Sequence, residues 1–343
     1  MNNSTNTTMD PTNTTLGNVI SSNFVPLCFL FGLKIPILAV AFFLSTTPIY
    51  LTFKSKILRG NCNFLIALNF FNLSLQLPAA LISATVVLTG RIQIRLANCF
   101  PLQIGPYIGA TAQWTICFAI ALDRLVGLFF PFFYSNYFGK KRIVFVLVAL
   151  ACYIYTFYKA LISYNYSMAI PENLVICGTT DIYPSQNAIV VLQNLAINVA
   201  TAACYVFLWL SFRCKNVQQN DSSRRIVRSV SAIMLLEVLG WLTNNLLRLI
   251  LPFLHLEMID ALYYSHSVAY LLYVAQGAQA PVLYVCSKEY RQVFEREFPF
   301  LTFFRKIFRY CRPPQTSTAA TNAWGSEQQI QAKTAQPNAV QKI

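Results

Sequence analysis

Four long windows of this chain contain no aspartate, glutamate, lysine or arginine. They cover residues 60–90, 96–122, 182–212 and 261–287. Each window exceeds the roughly 20 residues that an α-helix needs to cross the hydrocarbon core of a bilayer. Soluble domains rarely contain such windows, and the whole chain is 56% hydrophobic and only 11% charged. The sequence therefore predicts an integral membrane protein.

Three further apolar runs contain charged residues. They cover about residues 24–53, 143–164 and 226–253, and the charges inside them are Lys34, Lys159, Arg228, Glu237 and Arg248. The density of large apolar residues around these charges still favours spanning helices. Continuous apolar runs without alternation at period two must satisfy their backbone hydrogen bonds within the segment. We therefore predict an all-α membrane protein, a seven-transmembrane helix bundle, whose spans we number 1 to 7.

The two ends of the chain differ in charge. Residues 1–23 contain no lysine or arginine, whereas the chain after Ser287 contains basic residues from Lys288 to Lys342. Because basic segments stay on the cytoplasmic side, we expect an extracellular N-terminus and a cytoplasmic C-terminus at the plasma membrane. The N-terminus contains glycosylation sequons at Asn2, Asn3, Asn6 and Asn13. Anchoring to anionic membrane lipid explains the net charge of +14 without a nucleic-acid partner.

Four regions follow from these patterns. We predict an extracellular glycosylated N-terminus at 1–23, a seven-transmembrane domain at 24–286 and a cytoplasmic tail at 299–343 that is disordered by composition. Between them, residues 287–298 are predicted to form a short amphipathic helix on the membrane surface, because Tyr290, Phe294 and Phe298 recur every four residues. Cys311 in the tail is a candidate palmitoylation site.

Two cysteines lie where a disulfide is chemically available. Cys99 is at the outer mouth of span 3 and Cys177 is in the loop before span 5, so both face the oxidising side of the membrane. The alternative is two free thiols. Most of the other cysteines lie in apolar spans, where they pack as small hydrophobic residues.

The stretch CFAIALDRLVGLFFPFFY contains Asp123 and Arg124 at the cytoplasmic end of span 3. On residue type alone, the simplest interpretation is an interfacial pair whose side chains reach the headgroups. The combination of this pair with Pro131, Cys99 and Cys177 resembles rhodopsin-class G-protein-coupled receptors over about residues 24–298.

That resemblance implies a switch. Arg124 would be restrained by Asp123 at rest and would contact a heterotrimeric G protein when span 6 moves outward. In span 7, the stretch QAPVLY contains Pro281 and Tyr284, which match the class's Asn-Pro-x-x-Tyr motif. Leu125 stands in place of the usual tyrosine after Arg124, and Ala280 in place of the usual asparagine.

Four stretches are similar to the nematode serpentine chemoreceptors of the SRSX type: YLTFKSKILRGNCNFLIALN, ALDRLVGLFFPFFY, LGWLTN and SKEYRQVF. This similarity implies a chemosensory receptor for an environmental small molecule. A peptide-activated receptor of the same class is the alternative.

Candidate pocket residues are charges at membrane depth and aromatic residues beside them: Glu237, Trp241, Lys159, Arg248, Tyr263 and His266. A buried charge is costly unless it is paired or hydrated. Lys159 and Arg248 could instead extend to the surface, Trp241 could be ordinary packing, and Tyr263 could belong to an aromatic belt.

Two other protein classes compete with a receptor. A seven-span zinc hydrolase is disfavoured, because the chain has only His255 and His266 and their spacing is no metal motif. A ligand-gated channel of reversed topology is disfavoured by the charge difference between the chain ends. We therefore expect no enzymatic activity, no cofactor and no metal site.

Overall fold

The computed structural model describes residues 24–58, 61–90, 93–130, 132, 134, 142–183, 188–214, 235, 238–247, 250–254 and 258–299. The chain forms two compact units, residues 1–293 and 294–343. The helix bundle belongs to the first unit, and the described part of the second is the end of one short helix with Phe298 and Pro299. The predicted glycosylation sites Asn2, Asn3, Asn6 and Asn13 and the predicted lipidation site Cys311 lie outside the described residues.

Six of the described helical segments are long and apolar enough to cross a membrane. Span 1 is Phe24–Lys54, span 2 joins Asn61–Gln76 to Pro78–Leu88, and span 3 is Leu96–Phe129; span 4 is Arg142–Ala169, span 5 is Ala188–Cys214, and span 7 is Met258–Cys286. Short 3-10 helices occupy Lys56–Leu58 and Leu251–Leu254. Residues 238–247, within the predicted span 6, are helical. The fold is a bundle of membrane helices, and the crossing of the membrane by span 6 stays a prediction.

Span 2 is interrupted at Leu77. Pro78 follows it, and a proline has no backbone N–H and clashes with the preceding helical turn. The chain therefore closes the first helix with a hydrogen bond from Leu77 N–H to the Leu73 carbonyl, at 3.1 Å, and restarts the second with the proline at its first position.

The structure gives the start of span 5. The charge-free window begins at residue 182, but the helix begins at Ala188. Ile182 is fully buried in the preceding loop, where its carbonyl accepts a hydrogen bond from Ser163 Oγ. The window extends beyond the helix because it was defined by the absence of charged residues, which does not set a helix boundary.

Span 3 is the central helix, in contact with spans 2, 4 and 5, while span 1 packs against spans 2 and 7. Spans 2 and 3 approach each other closely at Gly109. A Cβ atom there would lie 2.7 Å from the Asn72 carbonyl oxygen and 2.8 Å from Leu75 Cβ. Only glycine lets the two helices meet at this distance. Large apolar side chains such as Phe29, Phe43 and Leu192 point outward and are exposed, as expected of a surface in contact with lipid.

A two-stranded antiparallel sheet lies at the start of span 3. Strand β1 is Ile94–Arg95 and strand β2 is Leu174–Val175, with Ile94 opposite Val175. Next to the sheet, Arg95 and Glu172 form an ion pair at 3.1 Å, and both side chains are largely exposed, so the pair contributes little stability.

The helix after span 7, which we call the surface helix, is Lys288–Glu297. Ser287 caps its start, because the Tyr290 N–H donates to Ser287 Oγ at 3.4 Å. The Tyr290 side chain is buried, and its hydroxyl lies 3.3 Å from Thr52 Oγ1 of span 1. Burial raises the pKa of Tyr290 to about 12, so the hydroxyl stays protonated at neutral pH. The position of this helix on a membrane surface stays a prediction.

Candidate functional site

Cys99 and Cys177 form the predicted disulfide. Both residues are fully buried. Cys177 has a left-handed backbone conformation with φ 65°, which is uncommon for a residue with a Cβ atom. The bridge joins the start of span 3 to the loop between spans 4 and 5, which we call the outer loop and which comprises residues 170–183.

Polar residues of the helices hold this loop in place. The Cys177 carbonyl accepts hydrogen bonds from Gln103 Nε2 at 2.6 Å and from Ser83 Oγ at 2.8 Å. Thr179 Oγ1 donates to Gln103 Oε1 at 3.3 Å. The sequence analysis missed Gln103 and Ser83. Their only signal was a polar residue inside a charge-free apolar window, which is also common in helices without a special role.

The side chain of Lys159 extends from span 4 to span 5, and only 1% of the residue is exposed. Its ammonium group donates to Gln193 Oε1 at 2.6 Å and lies 5.6 Å from the centre of the Tyr155 ring. The side chain therefore does not extend to the surface, which was the alternative interpretation of this lysine. Both partners are neutral.

Lys34 and His266 form a second polar contact, between spans 1 and 7. Lys34 Nζ lies 2.6 Å from His266 Nδ1 and 4.4 Å from the centre of the Phe31 ring. Lys34 is 1% exposed, so it too is an inward-facing cation. Beside it, the Tyr270 hydroxyl donates to the Leu30 carbonyl. Tyr263, another candidate on span 7, is half-buried and packs against Phe31, and its buried hydroxyl has no hydrogen-bond partner in the described part of the chain.

Trp241 lies at the junction of spans 3 and 7 with the helix at 238–247. Its ring meets Trp114 of span 3 edge-on, with centroids 4.8 Å apart, and it packs against Ala110 and Leu272. The indole N–H of Trp241 is buried, and no acceptor for it occurs among the described residues. Trp241 therefore packs against both span 3 and span 7.

The pocket candidates thus fall into separate contact groups. Lys159 contacts span 5 and His266 contacts span 1, whereas Tyr263 packs against residues of spans 1 and 2, and Trp241 packs against residues of spans 3 and 7. Glu237 and Arg248 lie outside the described residues. The sequence identified inward-facing polar and aromatic residues, but it did not show which of them are neighbours.

At the other end of span 3, Asp123 accepts a hydrogen bond from Tyr134 and lies near Arg124. Tyr134 Oη donates to Asp123 Oδ1 at 2.9 Å, and Arg124 Nε lies 3.8 Å from Asp123 Oδ2. Only 13% of the Arg124 side chain and 8% of the Asp123 side chain are exposed, so water screens the pair weakly. Burial raises the pKa of Tyr134, and the Asp123 carboxylate raises it further, so the hydroxyl remains a donor.

Tyr134 was not predicted as a functional residue. It lies in the same apolar stretch as Asp123, and a tyrosine at the end of such a stretch is ordinary for a membrane interface. Leu125, next to Arg124, is half-buried. On span 7, Pro281 lies inside the helix and is exposed, while Tyr284 is half-buried.

A protein-family model described as serpentine type 7TM GPCR chemoreceptor Srsx matches residues 39–298. The matched range contains the disulfide, the Asp123–Arg124 pair, the buried lysine of span 4 and the surface helix. Comparison with curated proteins gave no match.

Proposed function

Because the chain belongs to the Srsx family of serpentine seven-transmembrane chemoreceptors, we propose that it detects an environmental small molecule and signals through heterotrimeric G proteins. The family supports a receptor of the G-protein-coupled type in a membrane. The ligand class, the G-protein coupling and the orientation are the proposed part. In this proposal the N-terminus is extracellular and glycosylated at Asn2, Asn3, Asn6 and Asn13, and the C-terminus faces the cytoplasm.

The arrangement around Asp123 carries the proposal. A hydrogen bond from Tyr134 and the charge of Arg124 both act on one weakly exposed carboxylate. Arginine keeps its charge when it is desolvated and offers five donors in a fixed plane, so it suits a partner rich in carbonyl groups. A ligand that favours the state with Arg124 released shifts the receptor toward that state, in proportion to its differential affinity.

Span 7 and the surface helix complete the proposed inner surface. Pro281 and Tyr284 would act with Asp123, Arg124 and Leu125 in coupling. The surface helix would lie along the inner face of the membrane, with palmitoylation of Cys311 adding a lipid anchor.

The test is nucleotide exchange on G proteins in membranes that contain the wild type or Arg124→Ala, with a panel of small molecules and peptides. We expect Arg124→Ala to reach the cell surface normally and to reduce exchange about tenfold or more, because a charge-assisted contact is lost. Arg95→Ala is the matched control, since this arginine is exposed at the opposite end of span 3 and its ion pair with Glu172 contributes little stability. It should signal like the wild type.

Three results would contradict the proposal or change it. Equal exchange by wild type and Arg124→Ala would remove the coupling role of Arg124. Responses to peptides alone would make the receptor a peptide receptor. An ion current that does not depend on Arg124 would favour a ligand-gated channel.

A further inference from the structure

Lys159 is a cation without a counter-ion in the described chain. The described ion pairs are Arg95–Glu172, Arg124–Asp123 and Arg296–Glu297, and none includes Lys159. Its hydrogen-bond partner is the Gln193 side-chain oxygen, which is neutral. An ammonium group has three donors, so one neutral acceptor leaves most of its hydrogen-bonding capacity unused. Burial of a charge in this condition is costly.

Hydroxyl and amide groups from three further elements lie in the same part of the bundle, linked to this cation through Gln193 and its neighbour Asn194. The rings of Tyr107 on span 3 and Tyr183 in the outer loop are 6.2 Å apart. Asn194 Nδ2, one residue after the partner of Lys159, donates to the Tyr183 hydroxyl at 2.8 Å. Asn194 is 8% exposed, and its buried side-chain oxygen has no partner among the described residues.

The hydroxyl groups remain protonated at neutral pH. Burial raises the pKa of Tyr183 above its usual range, and repulsion from Tyr107 and Tyr155 raises it further. The Tyr183 ring lies beside the Tyr107 ring, and the Tyr155 ring lies beside the Lys159 ammonium group. Around Lys159 the protein therefore offers an ammonium group and phenol O–H groups, which are the donors that an anion needs.

Apolar packing closes the group on its outer side. Tyr107 packs in one cluster with Ala160, Cys177 and Ile182, and the disulfide and Ser163 fix the outer loop there. Gln193, in contrast, is exposed. The group thus has a covered side, and the exposed Gln193 marks its edge between spans 4 and 5.

We propose that Lys159, Tyr107, Tyr155, Tyr183 and Asn194 form a binding site, here called the Lys159 site, for the carboxylate of a small organic acid. The carboxylate accepts hydrogen bonds from the ammonium group and from a tyrosine hydroxyl, while the apolar body of the acid contacts the tyrosine rings. The inference rests on the proposed receptor function and names the ligand class for it.

One residue of the chain could replace the ligand. Glu237, which lies outside the described residues, is an acid on the predicted span 6 and a possible counter-ion for Lys159. The two explanations differ in a measurable way. A resident glutamate makes the site self-sufficient, so neutralising Glu237 would improve acid binding, whereas an open site gains nothing from that change.

The experiment measures ligand binding by the purified full-length protein in lipid nanodiscs, without a G protein. The probes are straight-chain acids from butanoic to decanoic, benzoic acid and phenylacetic acid, each compared with its primary amide. We expect at least one acid to bind the wild type about tenfold or more tightly than its amide, because the charged hydrogen bond is stronger. Lys159→Met, which keeps the length of the side chain, should remove this difference, and Lys159→Arg should keep most of it.

Lys34→Met is the matched control, because Lys34 is equally buried but lies between spans 1 and 7. It should retain the preference for acids. The inference is overturned if no acid exceeds its amide, if Lys159→Met keeps the preference, or if Lys34→Met loses it equally. A large gain in acid binding by Glu237→Gln would also overturn it, since the site would then be an internal ion pair.

Two further comparisons complete the experiment. The first distinguishes a small acid from a peptide C-terminus as the source of the carboxylate, and the second tests the binding site separately from the proposed receptor function. Short peptides with a free C-terminus are compared with their C-terminal amides; a preference confined to free peptides would overturn a small acid as the ligand. Acid binding that depends on Lys159 without nucleotide exchange would support the site and contradict the receptor. Nucleotide exchange in response to neutral ligands alone would support the receptor and contradict the site.

Discussion

Replacement of Tyr134 by phenylalanine should raise the basal activity of the receptor. The change removes the hydrogen bond to Asp123 Oδ1, at 2.9 Å, and keeps the ring. Asp123 then retains Arg124 Nε at 3.8 Å, which is beyond hydrogen-bond distance. A hydrogen bond to a charged group contributes about 1.5–3 kcal/mol, and water replaces it poorly because the Asp123 side chain is 8% exposed.

If this bond exists at rest and breaks on activation, its loss multiplies the ratio of active to resting receptor by about 10 to 100. A resting receptor that is active about 1% of the time would become active about 10% of the time or more. The assay is nucleotide exchange without ligand, normalised to the amount of receptor at the cell surface.

Tyr153→Phe is the matched control. It removes a hydrogen bond of similar length, from the Tyr153 hydroxyl to Asn72 Oδ1 at 2.8 Å, that involves no charge. An equal rise in both variants would indicate general loosening of the bundle. A fall in basal activity for Tyr134→Phe would refute the reasoning, since Tyr134 would then compete with Arg124 for the carboxylate.

Two further predictions concern folding. Gly109→Ala should lower the free energy of unfolding by about 1–3 kcal/mol through overpacking, because its Cβ would meet the Asn72 carbonyl. Gly105→Ala is the control, since its Cβ would meet nothing within 4 Å, and it should leave the free energy of unfolding unchanged or raise it. Thermal unfolding in nanodiscs compares the two variants, and equal effects would contradict the close approach of the helices. Cys99→Ala or Cys177→Ala should reduce the amount of protein at the cell surface, since the bridge that fixes the outer loop is lost. Surface labelling measures this amount, and normal levels would contradict a folding role for the disulfide.

Several features followed from the sequence because they depend on local chemistry. A charge-free window longer than a bilayer is thick has few alternatives to a membrane helix, so six helices appear where they were predicted. The pairing of Cys99 with Cys177 was accessible because both residues were predicted to face the oxidising side and most other cysteines lie within apolar spans. The charge-free window did not set the helix boundary, because Ile182 is buried in the loop and the helix begins at Ala188.

The candidate sites depend on contacts between residues far apart in the chain. Lys34 and Lys159 looked equivalent in sequence, as single cations in apolar runs, yet one contacts His266 and the other Gln193. Tyr134 can donate a hydrogen bond to Asp123 only because the chain after span 3 places it beside that residue.

The sequence by itself determined that this protein lies in a lipid bilayer, which segments form helices, which cysteines form the disulfide, and which residue types occur at its two ends. These features follow from hydrophobicity, helix length and thiol chemistry, which are properties of single segments. The tertiary structure alone decided which polar groups meet. In a membrane bundle, an inward-facing polar side chain costs free energy unless a partner binds it. That partner comes from another helix, and the local sequence does not set the rotation or the depth of that helix.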